Sequence, residues 1–83
     1  MEAVVNGAVL SRGNTGAMRY TVGEVIARAS QDVYLFPGDV FGSGTVGTGC
    51  LLELGTDVHR YLQPGDEVTL TIERLGALTN SIV

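Results

Sequence analysis

The chain has 83 residues, enough for one small domain or part of a larger one but not for two hydrophobic cores. Apolar residues make up 45% of it, which excludes a disordered polar chain, and its 12 glycines are about twice the usual share. The net charge is -4 and the five basic residues, all arginine, are scattered, so no basic face exists for nucleic-acid phosphates or an anionic membrane.

Val4-Val5 and Ala8-Val9-Leu10 flank Asn6-Gly7. Asn-Gly supplies the two positive φ angles of a type I′ turn, which predicts a β-hairpin over residues 2–11. Arg12-Gly13-Asn14-Thr15-Gly16 is then a loop.

A helix is predicted over residues 21–32. Thr21 caps it, and Glu24 three residues on completes a capping box. Val22, Val25, Ile26 and Ala29 form one apolar stripe. Glu24 and Arg28 stand four apart in the favourable order for an ion pair.

A turn device then occurs twice. Tyr34-Leu35-Phe36-Pro37-Gly38-Asp39-Val40 is echoed by Tyr61-Leu62-Gln63-Pro64-Gly65-Asp66-Glu67-Val68. Pro-Gly favours a type II turn, and each copy is expected to launch a strand, with Asp39 and Asp66 bonding their own turns. After the second copy, Val68, Leu70 and Ile72 alternate with polar residues, a half-buried strand. Leu75-Gly76 turns the chain into a last strand through Leu78, Asn80 and Ile82. The fold class expected is α+β, mainly β with one short helix.

Between the two turns, four of residues 42–49 are glycine. Gly42-Ser43-Gly44-Thr45-Val46-Gly47 matches G-x-G-x-x-G by letter, but no helix is predicted to open at the third glycine, as a dinucleotide site requires. A phosphate-binding Walker loop lacks its lysine. Two readings stay open: a plain glycine-rich bend, or a place where backbone N–H groups approach an anion beside the hydroxyls of Ser43, Thr45 and Thr48.

His59 lies in a polar connector without an evident nucleophile or orienting partner, and reads as a surface loop histidine. Cys50, before Leu51-Leu52, reads as a buried and inert thiol. One cysteine and one histidine make neither an intrachain disulfide nor a structural zinc site. The nine carboxylates form no clustered pair, so no metal box is visible. Met1-Glu2-Ala3-Val4 lacks the basic start of a secretory signal, and no apolar run approaches the roughly 18 residues of a membrane span. A reducing, cytoplasmic setting is expected.

The ordered set Gly13-Asn14-Thr15 with Met18, the capped helix, Leu35-Phe36-Pro37-Gly38-Asp39-Val40, Gly44-Thr45, Leu62-Gln63-Pro64-Gly65-Asp66 and Leu75-Gly76-Ala77-Leu78-Thr79-Asn80 resembles the C-terminal end of the fumarylacetoacetate hydrolase family. The similarity covers essentially all 83 residues. It implies a single segment, residues 1–83, forming the C-terminal portion of a mixed β-roll catalytic domain. It implies a parent enzyme that cleaves, decarboxylates, isomerises or dehydrates 2-oxo acids or acylpyruvates. Such enzymes use Mg²⁺, Mn²⁺ or Ca²⁺ to stabilise charge on the oxo oxygen. The metal ligands and catalytic base of the family lie in earlier parts of its sequence, so no catalytic or metal residue is assigned to this chain. Gly44 and Thr45 occupy the Gly-Thr step that meets the substrate carboxylate. Gly-Thr-Val replaces the common Gly-Thr-Pro, and Gly16-Ala17 replaces Ser-Asp before the methionine. The resemblance further implies a fragment or split subunit, inactive alone, that associates with the missing N-terminal part or forms a homo-oligomer. The competing expectation is a small non-catalytic β-rich binding or scaffold module.

Overall fold

Asn6 and Gly7 sit at φ of 49° and 83°, the left-handed pair a type I′ turn needs, and they fold the N-terminal segment back on itself. The computed structural model describes residues 1–83, which divide into two units, Met1–Asn14 with Thr45–Val83 and Thr15–Gly44.

The first unit is built on a four-stranded antiparallel sheet. Its strands are β1 (Glu2–Val5), β2 (Ala8–Arg12), β3 (Glu67–Ile72) and β4 (Gly76–Ser81), in the order β2-β1-β3-β4. The hairpin predicted over 2–11 is β1 and β2. Its register slips by one between Ala3 and Val4, leaving Leu10 as the extra residue of a bulge. β1 accepts β3 on its other side, with Val5 opposite Val68 and Ala3 opposite Leu70. Glu2 faces Arg12 across the hairpin and forms an ion pair at 2.7 Å. Thr69 and Thr79, opposite each other on β3 and β4, share a hydroxyl hydrogen bond of 2.8 Å.

The second Pro-Gly turn behaves as expected. Gly65 takes φ of 94°, Asp66 N–H donates to the Gln63 carbonyl, and β3 follows at once. The turn into β4 runs through Arg74 at φ of 68°. Ala3, Val5, Val68, Leu70, Ile72 and Leu78 share one face of the sheet. Alternation is therefore present, but the face is half covered at best. Val5 is buried at 5% exposure, whereas Leu70 and Leu78 keep 49% and 60%. A four-residue helix, α2 (Leu51–Leu54), lies between the strands in sequence and packs on none of them. The sequence did not predict α2, because a four-residue helix is too short to carry a periodic signal.

The second unit holds a 3₁₀ turn (Thr15–Ala17) and one longer helix, α1 (Val22–Ala29). The capping box forms as expected: Glu24 N–H donates to Thr21 Oγ1, and Thr21 N–H donates to Glu24 Oε2 at 2.7 Å. The helix stops short of residue 32. Ser30 caps it, its hydroxyl donating to the Ala27 carbonyl, and Asp32 turns left-handed at φ of 61°. The predicted Glu24–Arg28 pair does not form. The Glu24 carboxylate is held by Thr21, and Arg28 donates to Gln31. The first Pro-Gly turn closes, with Asp39 N–H donating to the Phe36 carbonyl and Phe36 N–H to Asp39 Oδ2. It launches no strand, against expectation. The residues after it run into the glycine-rich stretch, where backbone entropy opposes an extended strand.

Candidate functional site

The glycine-rich stretch presents its middle to solvent. Gly44, at φ of 85°, is in the left-handed region that disfavours any side chain, and a Cβ built there meets nothing within 4 Å. Thr45 follows it and is exposed. Gly44 closes the second unit and Thr45 resumes the first.

Residues 46–49 make a tight turn. Gly49 N–H donates to the Val46 carbonyl at 2.7 Å, and a Cβ on Gly49 would stand 3.0 Å from that oxygen. The turn is seated on the end of β2. Ser11 Oγ and Thr48 Oγ1 share a hydrogen bond of 2.8 Å, and Ser11 is buried at 7% exposure. Val46 lies over Gly13, where an added Cβ would come within 2.7 Å of Val46 Cγ1. Met1 fixes that end of β2 in turn: its ammonium donates to the Gly13 carbonyl, and its own carbonyl accepts the Gly13 N–H. Sequence reasoning named Thr48 only as a loop hydroxyl and gave Ser11 no part.

A second polar cluster gathers on Asp66, which is buried. Its carboxylate accepts Arg60 through two nitrogens at 2.7 and 2.8 Å, Asn6 Nδ2 at 2.9 Å and Gln63 N–H at 2.8 Å. The Arg60 guanidinium, then Asn6 and the Gln63 amide, hold the Asp66 carboxyl far below the usual carboxylate range, and Asp66 raises Arg60 in return. The expectation that Asp66 bonds its own turn holds. Arg60 and Asn6 were not anticipated, since neither is marked by spacing. With four donors around it, Asp66 has little capacity left for a ligand.

His59 is half-buried in its loop and its Nδ1 donates to the Arg60 carbonyl, with no hydroxyl, thiol or carboxylate bonded to the ring. Cys50 is half-buried, more accessible than expected, because it stands at the start of α2 and no strand packs on that helix. No three of the His, Cys, Asp and Glu side chains converge where a metal ion could be held. The G-x-G-x-x-G letters have neither a strand before them nor a helix at the third glycine, so the dinucleotide context is absent. Thr45 carries its hydroxyl at an exposed position, one residue before the turn closed by Gly49 N–H and the Val46 carbonyl. No helix is long and apolar enough to cross a membrane.

The family described as fumarylacetoacetate (FAA) hydrolase, C-terminal, matches residues 1–83. An uncharacterized protein of Staphylococcus saprophyticus is 42% identical over 79 residues, covering 94% of this chain and 25% of the relative. Uncharacterized proteins of Staphylococcus epidermidis and Staphylococcus aureus match with the same identity and coverage. The chain thus spans about a quarter of the length of these relatives. No solved structure gives a significant match.

Proposed function

The chain belongs to the fumarylacetoacetate hydrolase family, and from that membership we propose that residues 1–83 are the C-terminal part of an enzyme acting on 2-oxo acids or acylpyruvates, in which Gly44 and Thr45 meet the substrate carboxylate. The observation that supports this most is the exposed Gly44-Thr45 step. Gly44 is left-handed with room for a ligand where a side chain would stand, and the exposed Thr45 that follows it comes one residue before the turn that Thr48 ties to the sheet. A carboxylate placed there accepts from the hydroxyl and from nearby main-chain N–H groups, and charge-assisted bonds of this kind are the stronger ones.

The family works with a divalent cation, but the residues of this chain do not fit one, since no three candidate ligands converge. No step of the reaction is therefore assigned to a metal here, and no catalytic residue either. The part proposed for this segment is to orient the substrate by its carboxylate end. The uncovered apolar face of the sheet fits a segment that completes its core against the rest of the catalytic domain, and the parent enzyme is proposed to be a homo-oligomer. The free Cys50 fits a cytoplasmic setting.

The test is oxalate binding, measured calorimetrically with Mg²⁺ present. The protein is a chimera in which this chain replaces the matching segment of the Staphylococcus saprophyticus relative. A folded chimera that binds oxalate supports the reading, and one that binds none while the unaltered relative does contradicts it.

A further inference from the structure

The Ser11 hydroxyl is the one buried polar side chain of the first unit besides Asp66, and it has a single partner, Thr48 Oγ1 at 2.8 Å. Around this bond three close approaches fasten the same turn. Val46 packs over Gly13, Gly49 N–H closes on the Val46 carbonyl, and the Gly13 backbone is itself tied to Met1 by two hydrogen bonds. Contacts to β2 and Gly13 thus reach along the chain as far as residue 46. Thr45 is the next residue, and the Thr45 Cβ lies 3.6 Å from where a Cβ on Gly49 would be. In a stretch with four glycines in eight residues, the backbone has no intrinsic reason to hold one shape. The contacts to β2 supply it.

We infer that Ser11 is a positioning residue for the carboxylate-binding step: its hydroxyl, through Thr48, sets where Thr45 stands. The inference rests on the proposed role of Thr45, but it concerns the placement of the turn, which is measurable without any ligand. It also accounts for a hydroxyl at this buried position of β2, since a hydroxyl at position 11 satisfies and orients Thr48, and an apolar residue of the same shape does not.

The experiment compares Ser11→Thr with Ser11→Val in the 83-residue chain, two side chains of nearly equal shape that differ in the hydroxyl. Amide exchange is read at Gly49, whose N–H closes the turn, and the amide resonance is read at Thr45. Amides of β3 and β4 serve as the internal standard. Ser11→Val is expected to speed Gly49 exchange tenfold or more relative to the standard and to shift the Thr45 resonance. Ser11→Thr is expected to leave both close to those of the unsubstituted chain. Thr48→Val, at an exposed position, should reproduce the Ser11→Val effect and covers the case in which a change inside β2 prevents folding. Equal Gly49 exchange in Ser11→Val, Thr48→Val and the unsubstituted chain overturns the inference. If the turn loosens as expected while Thr45→Ala leaves oxalate binding by the chimera intact, the carboxylate reading fails and the positioning of the turn by Ser11 stands.

Discussion

Asn6 Nδ2 donates to Asp66 Oδ1 at 2.9 Å, joining side chains sixty positions apart in sequence. The same asparagine accepts the Glu67 N–H through Oδ1 and donates its own N–H to the Glu67 carbonyl. The turn of the first hairpin is thereby clamped to the start of β3. Asn6→Gly keeps the left-handed turn but removes both side-chain bonds, so it isolates the clamp. We expect a loss of about 1–2 kcal/mol in global stability by denaturant unfolding, and no measurable loss contradicts the clamp.

The Asp66 cluster sets a sign for acid sensitivity. Arg60, Asn6 and the Gln63 amide depress the folded-state pKa, so at low pH the unfolded chain takes up the proton more readily than the folded one. Stability from this group is fully present above the unfolded value of about 4 and is lost as pH falls toward the folded value. Unfolding midpoints followed from pH 6 to pH 2 should decline, and Asp66→Asn should start lower and decline less steeply. A parallel decline in both proteins removes Asp66 as the cause.

At α1, the structure separates capping from ion pairing. Thr21→Ala removes the hydroxyl that accepts the Glu24 N–H and leaves the backbone arm of the box, at about 0.5–2 kcal/mol of helix stability. Because no residue of α1 is buried, the loss should appear as faster amide exchange over residues 22–29, not as a lower global midpoint. Arg28→Ala should leave those amides unchanged at low and high salt, since Arg28 does not pair with Glu24. A salt-dependent loss in Arg28→Ala restores the pair predicted from sequence.

The open face of the sheet predicts association. Leu70 and Leu78 stand opposite each other on β3 and β4, both largely exposed. Replacing both by threonine keeps strand propensity and removes apolar surface. Sedimentation should show the unsubstituted chain associating and the double variant shifted toward monomer, with stability changed by less than about 1 kcal/mol. Unchanged association places the contact elsewhere.

Local chemistry was the legible part of this fold. Asn6-Gly7, Thr21 with Glu24, and Pro64-Gly65-Asp66 each act within a few residues, and each formed as its letters implied. What failed was inference from one local device to its surroundings. Pro37-Gly38-Asp39 makes the same turn as Pro64-Gly65-Asp66, yet only the second meets a sheet with an open edge at β1. Glu24 can serve Thr21 or Arg28, and a backbone donor at the helix start won over a mobile guanidinium. In the candidate site, Gly44 and Thr45 could be named because glycine content and the family resemblance both point at them. Ser11 could not, because its partner Thr48 lies 37 residues away and no periodicity records such a contact.

The most direct test is the affinity of the chimera for oxalate with and without the Thr45 hydroxyl. Losing one hydrogen bond to a charged group is worth about 1.5–3 kcal/mol, so Thr45→Ala should weaken binding by roughly ten- to a hundredfold while the folded chimera keeps its unfolding midpoint. Oxalate bound as tightly by Thr45→Ala as by the unsubstituted chimera would contradict the assignment of this segment to the substrate carboxylate.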